Sequence, residues 1–442
     1  MRVIADLHIH SKYSRATSKQ MDVEHLDLWA RKKGIQILAT GDFTHPQYLK
    51  ELKEKLVEDG SGLLKLVNSD LPATSLQATS FLLSSEISCI YKDKEKTRRL
   101  HLLLFAPSFA AVDKFNAELL KRGCNLKSDG RPIIGLSAKE VLKICLEVDD
   151  RMFLVPAHAW TPWFAVFGSK SGYDSLEECF EELTPDIYAI ETGLSSDPSM
   201  NWRLSKLDKI ALISNSDAHS PENLGREANV FSTQGRSASG GNFDYEDIIE
   251  AIKNSSLARR QSVSQSVDRL SLAYTVEFFP EEGKYHWDGH MKCKFSCAPK
   301  DSAKLKNICP VCKKELTLGV DHRVQDLADR EVGFRPENVV PFRSLVPLKE
   351  IIAECLQQGT ASKRVRGSYE KMLEQKTEFE ILLDLNQEEL VRISNDVIAG
   401  AILKVRDGKV AIKPGYDGEY GVVKVFSEDE VKEMKPRQNV LF

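Results

Sequence analysis

Short apolar runs alternate with amphipathic stretches through residues 1–230 of the chain. The apolar runs have the length and β-branched content of buried strands, whereas stretches such as HLDLWARKK and AKEVLKICLEV place apolar residues at helical spacing. Strands that alternate with helices favour a parallel sheet, and a closed sheet of this kind gathers the carboxyl ends of its strands at one face. The pattern therefore predicts an α/β barrel, which we assign to residues 1–270.

The first predicted strand ends in two histidines. Residues two apart in a strand point the same way, so His8 and His10 project together while Ile9 packs behind them. The pair alone is equally well read as one core and one surface histidine. Later apolar runs also end in imidazoles or carboxylates, however, and this recurrence favours a metal centre. The expected ligands are His8, His10, Asp42, Glu86, His101, His158, Asp217 and His219.

These ligand types define the chemistry of the predicted centre. Imidazoles and carboxylates without thiolates favour a hydrolytic site, and metal ions can activate water and clamp both reacting oxygens of a phosphate. Eight ligands exceed the needs of one ion, so we expect two or three divalent ions, Zn, Mn or Mg, with His8 and Asp217 indispensable. Glu191 is a weaker candidate because it can equally form a salt bridge, and His45 can support the ligands from behind.

A second metal site is predicted from the cysteines. Two close pairs, Cys293 with Cys297 and Cys309 with Cys312, have the spacing of a structural zinc site in which four thiolates close the tetrahedron. His286 and His290 lie just upstream and are alternative ligands. We assign this module to residues 271–330. The other five of the nine cysteines are scattered, which fits a reducing cytoplasm.

Residues 331–436 predict a mainly helical domain with a terminal β-hairpin at GKVAIKPGYDGEYGVVKVF. Its basic run Lys363, Arg364 and Arg366 is either a solvated face or a contact for DNA phosphates. The tail, residues 437–442, contains Gln438, Leu441 and Phe442 and is similar to the short motif by which replication proteins bind a sliding clamp.

Charge and hydropathy limit the classes of partner. The net charge is −4, so contacts with nucleic acid must come from local basic patches. No apolar run reaches the roughly 18 residues of a membrane span, and the charged amino terminus enters a strand without a signal peptide. We expect a cytoplasmic protein, located at the nucleoid if it binds DNA, with no membrane partner.

The ligand motifs follow an order found in a known superfamily. The runs DLHIHSKYS, TGD, SSE, LH, PAH and SDAH, in this order, resemble the polymerase-and-histidinol-phosphatase (PHP) superfamily. The resemblance implies a distorted (β/α)7 barrel with three metal ions that hydrolyses phosphoesters. Ser14 and Arg15 stand where members often carry a histidine, and Asp42 replaces another. One ion would then be held loosely, and Arg15 would instead meet a phosphate as a catalytic residue.

The remaining segments narrow the resemblance. HAWTPWFAVFGSKSGYDS, EFFPEEGKYHWDGH, the CPVC knuckle and PGYDGEYGVV resemble the endonuclease Q family across nearly the whole chain. Membership implies nicking of DNA on the 5′ side of uracil, hypoxanthine, xanthine and abasic sites, leaving a 3′-hydroxyl and a 5′-phosphate.

A base inside a duplex is read most simply after it is flipped out, and the loop after His158 offers aromatic stacking surfaces and a cation. The same aromatic residues can instead cap the barrel core. The expected DNA and lesion contacts are Trp160, Trp163, Phe164, Lys170, Ser171, Lys363, Arg364 and Arg366. Alternative functions are a small-molecule phosphomonoesterase and a non-catalytic DNA-binding protein.

Overall fold

The computed structural model describes residues 2–67, 79–233, 243–262, 270–427 and 429–430. The strands, in chain order, are β1 Arg2–Asp6, β2 Ile37–Ala39, β3 Leu56–Glu58, β4 Leu64–Leu66, β5 Ser80–Asp93, β6 Lys96–Ala106, β7 Ile133–Ile134, β8 Phe153–Pro156, β9 Ala189–Glu191, β10 Ala211–Ile213, β11 Ala228–Thr233, β12 Leu270–Glu277, β13 Asp288–His290, β14 Phe295–Cys297, β15 Phe342–Ser344, β16 Ala411–Lys413 and β17 Val422–Lys424. The helices are α1 Val23–Lys33, α2 Pro46–Lys55, α3 Phe109–Lys121, α4 Ala138–Val148, α5 Leu176–Phe180, α6 Pro198–Asn201, α7 Tyr245–Lys253, α8 Leu257–Ser262, α9 Pro299–Lys304, α10 Val320–Leu327, α11 Leu348–Cys355, α12 Lys363–Leu373, α13 Glu378–Leu383, α14 Gln387–Ile393 and α15 Asp396–Arg406.

The amino-terminal part is a mixed α/β domain around one large sheet. Strands β1, β2 and β5 are parallel neighbours, as the alternation of strands and helices predicts, and β9 pairs with β10 in parallel. Strand β11 instead runs antiparallel to β1, and β6 runs antiparallel to both β5 and β8. The barrel is therefore distorted, and part of its sheet departs from the parallel arrangement.

The long hairpin β5–β6 explains part of this departure. Its two strands are joined by a turn at Lys94, whose φ of 54° is left-handed, and a direct return of this kind makes the strands antiparallel. Both strands continue beyond the barrel face. Glu86 and His101 consequently lie in the middle of their strands, whereas the sequence places them at strand ends.

The zinc module is inserted between two strands of the main sheet. Strand β12 pairs with β11 and also with β15, so the chain leaves the sheet after Glu277 and returns at Phe342. The β16–β17 hairpin packs on this module, where Trp287 donates to the carbonyl of Gly415 and Met291 donates to Asp417. The domain limits at 270 and 330 remain predictions, although β12 itself belongs to the main sheet.

Helices α11–α15 form the carboxyl-terminal domain, as the amphipathic pattern predicts. They are attached to the barrel through a buried ion pair in which Lys33 Nζ lies 2.8 Å from Glu378. The same carboxylate accepts from the Tyr369 hydroxyl and the Leu348 amide, so every oxygen is used. None of the described helices combines the length and apolar character that crossing a bilayer requires.

Candidate metal centre

The ends of β1 and β10 bring the first ligands together. Ile9 forms a parallel bridge with Ala218, and His10 N donates to the carbonyl of Ala218 at 3.0 Å. The two motifs with a one-residue spacing, at residues 8–10 and 217–219, therefore lie side by side. Asp217 has a φ of +47°, and Asp42 and His158 have φ values of +45° and +29°. Such backbone conformations are costly for residues with a Cβ and concentrate at functional sites.

Six side chains form two groups at this face of the barrel. Within each group the potential ligand atoms lie within 4.8 Å of one another. Glu86 connects the groups, because its Oε1 is 2.8 Å from His101 Nδ1 while its Oε2 is 3.3 Å from His10 Nε2. The first group contains His8, His10 and Asp217, and the second contains Glu86, His101 and His158.

Unsatisfied polar atoms show that the first group fits a cation. His8 Nε2, His10 Nε2 and Asp217 Oδ1 are buried, and none of them makes a hydrogen bond within the described part of the chain. The two atoms His10 Nε2 and Asp217 Oδ1 are only 3.1 Å apart. Burying such atoms without partners is costly, and all three are ordinary ligands of divalent metals. A bound ion would satisfy them together.

Buried carboxylates orient the histidines from behind. Glu191 lies 3.0 Å from His8 Nδ1 and also accepts from the His158 amide and from Asn215 Nδ2. Asp42 lies 3.1 Å from His10 Nδ1. Each contact holds the far nitrogen of the ring and directs Nε2 into the centre, which is the usual support of metal-binding histidines.

Asp42 and Glu191 are therefore placed differently from the metal ligands that the sequence predicts. Asp42 Oδ2 accepts from Ser11 N and Ser11 Oγ, both at 2.6 Å, and from Ser14 Oγ at 2.9 Å. With His10 on its other oxygen, this carboxylate is fully used. Neither acid belongs to the two groups; in this structure Asp42 orients His10, and its assignment as a direct ligand stays a prediction.

Three other predicted residues lie outside the two groups. His219 packs its ring 4.5 Å from that of His10, and its Nδ1 lies 2.8 Å from the Asp217 carbonyl. His45 stacks on Tyr13 at the start of α2. The side chain of Arg15 is 80% exposed and pairs with Asp129 at 3.2 Å, so it lies at the surface. The structure thus does not bring Arg15 into the centre.

Arg131 also enters the centre, although no sequence pattern marks it. Its Nη1 donates to Glu86 Oε2 at 2.9 Å from a loop between α3 and β7. The residue follows Gly130, at which a Cβ would come within 2.3 Å of Asp42 Oδ2. Only glycine allows this loop to approach so closely. The loop segment SDGR, residues 128–131, has no hydrophobic periodicity from which a functional role of Arg131 could be predicted.

The charges of the centre stabilise one another. Burial alone would lower the pKa of His8, but Glu191 and Asp217 raise the pKa well above its usual value. Burial would raise the pKa of Glu86, yet His101 and Arg131 hold that pKa well below its usual range. For His101 burial prevails and lowers the pKa to about 4. Neutral His101 has a free nitrogen lone pair, the form in which imidazole binds a metal.

A pocket of about 390 Å³ opens beside the centre, a volume within the range of small-ligand sites. Its walls include His158 and Asp217 from the centre and the loop Gly193–Ser195. Trp163, Tyr285 and Tyr420 supply aromatic surfaces, with Trp163 and Tyr285 in edge contact at 5.4 Å between ring centroids. The barrel, the zinc module and the terminal hairpin thus all contribute to one pocket.

The loop after His158 is divided between core and surface. Trp160 is completely buried, packs on Phe167 and donates its indole N–H to Asn201 at 2.8 Å. Its predicted role as a stacking surface is corrected, because the ring caps the barrel core. Ser171 is also buried and donates to the Arg99 carbonyl.

Other residues of this loop remain accessible. Trp163 is 36% exposed at the pocket, and Lys170 is exposed nearby in the chain. Phe164 is partly buried, with its ring centroid 4.7 Å from that of His101. In the carboxyl-terminal domain, the basic run Lys363, Arg364 and Arg366 is exposed at the start of α12. The predicted clamp motif, Gln438, Leu441 and Phe442, lies outside the described residues.

The cysteine cluster contains a histidine in place of one predicted thiolate. His290, Cys293, Cys309 and Cys312 have potential ligand atoms within 4.8 Å of one another. Cys297 is not in this group, because the register of the β13–β14 hairpin places it opposite Asp288, whereas His290 lies beside the turn that carries Cys293. The predicted four-thiolate set is corrected to three cysteines and His290, a common structural zinc set.

Comparisons with known proteins identify relatives of this chain. Residues 347–409 match the family described as the MJ0043 C-terminal domain. The uncharacterized protein YqxK of Bacillus subtilis is 29% identical over 439 residues, which cover 96% of this chain and 99% of that protein. The uncharacterized protein MJ0043 of Methanocaldococcus jannaschii is 32% identical over 289 residues, which cover 63% of this chain but only 33% of that protein.

Solved structures decide the family. The lesion-specific endonuclease PfuEndoQ from Pyrococcus furiosus matches with a TM-score of 0.80 and 30% identity, over 98% of this chain and 99% of that one. The chain belongs to the endonuclease Q family. A complex of endonuclease Q with a 27-mer duplex that has an abasic lesion at the active site also matches, with a TM-score of 0.80 and 30% identity over 100% of both chains. Membership in this family confirms the predicted enzyme class, a metal-dependent phosphodiesterase.

Proposed function

We propose that this protein nicks DNA next to a damaged nucleotide that has left the duplex and entered the pocket beside the metal centre. The observation that carries the proposal is the shared wall: His158 and Asp217 face both the metal centre and the aromatic pocket. A nucleotide held there by Trp163, Tyr285 and Tyr420 would place its own phosphates near the ligands. Base flipping of this kind is how enzymes reach a base inside a duplex.

The residues of the centre would divide the work as follows. His8, His10 and Asp217 would hold one divalent ion, and Glu86, His101 and His158 another, with Zn, Mn or Mg as candidates and a third ion held loosely if present. When bound, such ions supply an activated water and neutralise charge on a phosphate. Glu191 and Asp42 keep the imidazoles oriented, and the walls of the pocket limit the access of solvent.

The substrates of the proposal follow from the family. The relative from Pyrococcus furiosus is lesion-specific, and the complex contains an abasic lesion at its active site. We extend this to uracil, hypoxanthine and xanthine in DNA and to abasic sites, with cleavage on the 5′ side leaving a 3′-hydroxyl and a 5′-phosphate. We also propose that the enzyme acts in the cytoplasm, at the nucleoid, and that its tail binds the sliding clamp.

The zinc module has a basic surface, although the net charge of the whole protein is −4. Seven lysines are exposed between residues 291 and 315, where the chain has only the acids Asp301 and Glu315. Phosphate contacts by lysine release counterions and make binding strongly dependent on salt. Exposed Lys170 and the basic run at residues 363–366 would extend this surface. The lysines are Lys292, Lys294, Lys300, Lys304, Lys306, Lys313 and Lys314.

The test is cleavage of end-labelled duplexes that contain deoxyuridine, deoxyinosine, an abasic analogue or no lesion, with Mn²⁺ or Mg²⁺. The proposal expects one nick 5′ to each lesion and none in the undamaged duplex, with ligatable 3′-hydroxyl and 5′-phosphate ends. Equal cutting of all duplexes would remove the lesion specificity. Release of phosphate from histidinol phosphate without any nicking would favour the small-molecule phosphomonoesterase instead, and binding without either reaction would favour a DNA-binding protein.

A further inference from the structure

A short loop before β7 is fixed at the metal centre on three sides. The Gly130 amide donates to the Tyr13 carbonyl at 3.0 Å, and the Gly130 carbonyl accepts from Thr44 at 3.2 Å. On the other side of Arg131, the carbonyl of Pro132 accepts from the Ser88 amide at 3.0 Å. Since Ser88 lies on the strand that carries Glu86, the backbone of Arg131 is held in register with that ligand.

The guanidinium of Arg131 lies beside Glu86, the residue that connects the two groups. Its Nη1 is 2.9 Å from Glu86 Oε2, the oxygen that also faces His10. The side chain is 29% exposed, so part of it faces the opening of the centre. A guanidinium has five N–H donors, more than Glu86 can accept.

The placement of Asp42 and Arg15 bears on the role of the Arg131 guanidinium. Asp42 lies beside His10, and its oxygens accept from two serines and contact His10. Arg15 pairs with Asp129 at the surface. Arg131 is thus placed to meet an anion at the centre, and planar guanidinium groups match phosphate oxygens in a bidentate manner.

We infer that Arg131 is a catalytic residue whose guanidinium contacts a non-bridging oxygen of the scissile phosphate while Glu86 holds it in place. This inference rests on the proposed function. The arginine offsets the negative charge that develops on the phosphate during hydrolysis, and it supplies its positive charge from the loop that packs against Asp42. Fixed donors of this kind act most strongly on the transition state.

The first test compares Arg131→Gln with Arg131→Lys and with Arg122→Gln. Arg122 lies at the end of α3, pairs with Glu118 and serves as a matched control. Single-turnover nicking of a lesion duplex should fall about 100-fold in Arg131→Gln, recover partly in Arg131→Lys and stay unchanged in Arg122→Gln. Cleavage by Arg131→Gln within about two-fold of the unmodified protein would overturn the inference, since removal of such a donor costs far more.

The second test separates direct contact from an effect through Glu86. In an Asp217→Asn background, binding is measured to a lesion duplex with an ordinary scissile phosphate and to one with a neutral methylphosphonate there. Arg131→Gln should weaken binding of the ordinary duplex about ten-fold and leave binding of the methylphosphonate unchanged, because only the former has the anion to lose. Equal weakening of both, or fewer ions bound per protein in Arg131→Gln, would overturn direct contact.

The inference and the proposed function fail in different ways. If the protein shows no preference for lesions, hydrolysis of the general phosphodiester bis(p-nitrophenyl) phosphate still reports on Arg131. A large loss in Arg131→Gln would then support the contact with phosphate while lesion specificity is rejected. An unchanged rate of this hydrolysis would overturn the inference on Arg131, whatever the outcome with DNA.

Discussion

The protein has two clusters of metal-binding residues that are built in opposite ways. The barrel centre draws its ligands from positions as far apart as His8 and Asp217, and each first-strand histidine is held by its own buried carboxylate. The zinc cluster draws all of its ligands from the segment between His290 and Cys312. One cluster requires the whole barrel to be folded, whereas the other can form within one short piece of chain.

The two clusters also differ in whether their ligand atoms are accessible to a substrate. The barrel centre has buried ligand atoms without hydrogen-bond partners among the described residues and opens into a pocket. The cysteine cluster has four potential ligands, which would fill the tetrahedron of a zinc ion and leave no position for a substrate. The comparison indicates that removal of the barrel ions should abolish chemistry with little effect on folding. Removal of the zinc should instead disturb structure and DNA binding.

The largest expected effect is that of His8→Ala or Asp217→Ala. Either change removes a ligand of the first group and should lower the nicking rate by at least about 10³-fold, because the ions supply several kcal/mol of stabilisation to the transition state. Binding to a lesion duplex should remain detectable, and one zinc per protein should remain. Normal cleavage by either variant would show that the ligand assignment is incorrect.

The cysteine cluster should respond to a different pair of variants. Cys309→Ser removes a zinc ligand and should lose the structural zinc, lower the melting temperature and weaken DNA binding about ten-fold through the lost phosphate contacts of the module. Hydrolysis of a small phosphodiester should change little. Cys297→Ser is the matched control and should keep its zinc, as measured by metal analysis. Loss of zinc in Cys297→Ser would restore the four-thiolate set.

Arg323 connects the two regions and should have an intermediate effect. From α10 it donates to the carbonyls of Phe167 and Tyr173 and pairs with Asp174, so it ties the zinc module to the loop after His158. Arg323→Met should lower the free energy of unfolding by about 2–3 kcal/mol and reduce affinity for lesion duplexes several-fold.

The control for this link is Arg335→Met, which removes an exposed cation lying over Trp202. It should change stability by less than about 0.5 kcal/mol. Chemical denaturation and fluorescence anisotropy measure the two properties. Equal effects of the two substitutions would show that the link through Arg323 does not position the loop.

A last prediction concerns a buried acid pair behind the pocket wall, whose effect on stability depends on pH. Glu227 accepts from the amides of Leu194 and Phe278, whereas Glu277 accepts from the hydroxyls of Thr192 and Thr275. Backbone amides can only donate, which favours the charge on Glu227 over Glu277, although burial also raises the pKa of Glu227 to about 8. Burial and the charge of Glu227 raise the pKa of Glu277 well above its usual value.

A carboxyl group with a raised pKa in the folded state stabilises the protein fully below its unfolded pKa, and this contribution is lost as pH rises toward the folded value. Glu277→Gln cannot ionise. The variant should therefore gain stability relative to the unmodified protein as pH rises above about 4.5, by at most about 1.4 kcal/mol per pH unit. Thermal unfolding from pH 5 to 9 measures this difference, and a difference independent of pH would contradict the assignment.

Much of the centre was predictable because its signals are local and repeated. The spacing of His8 and His10 follows directly from strand geometry, and the segment at Asp217 repeats it. Glu86, His101 and His158 were recognisable from apolar runs that contain or end in a ligand type, although the strands of Glu86 and His101 continue past them. Periodicity also predicted the carboxyl-terminal helices, whereas the side-chain caps at Thr377 and Asn386 are seen only in the structure.

The remaining features depend on long-range packing that no local pattern reports. Arg131 reaches Glu86 only because Gly130 allows close approach to Asp42. Trp160 is buried because Asn201, from a separate helix, satisfies its N–H. The choice of His290 over Cys297 depends on the register of one hairpin, and a shift by one residue would reverse the direction of its side chains.

The most direct measurement of the central claim is anomalous diffraction from crystals grown with Mn²⁺. The account predicts manganese at the barrel face, with one peak contacting His8, His10 and Asp217, a second contacting His101 and His158, and Glu86 between them. Manganese elsewhere on the protein, or none within ligand distance of these six side chains, would contradict the claim that they form one catalytic metal centre.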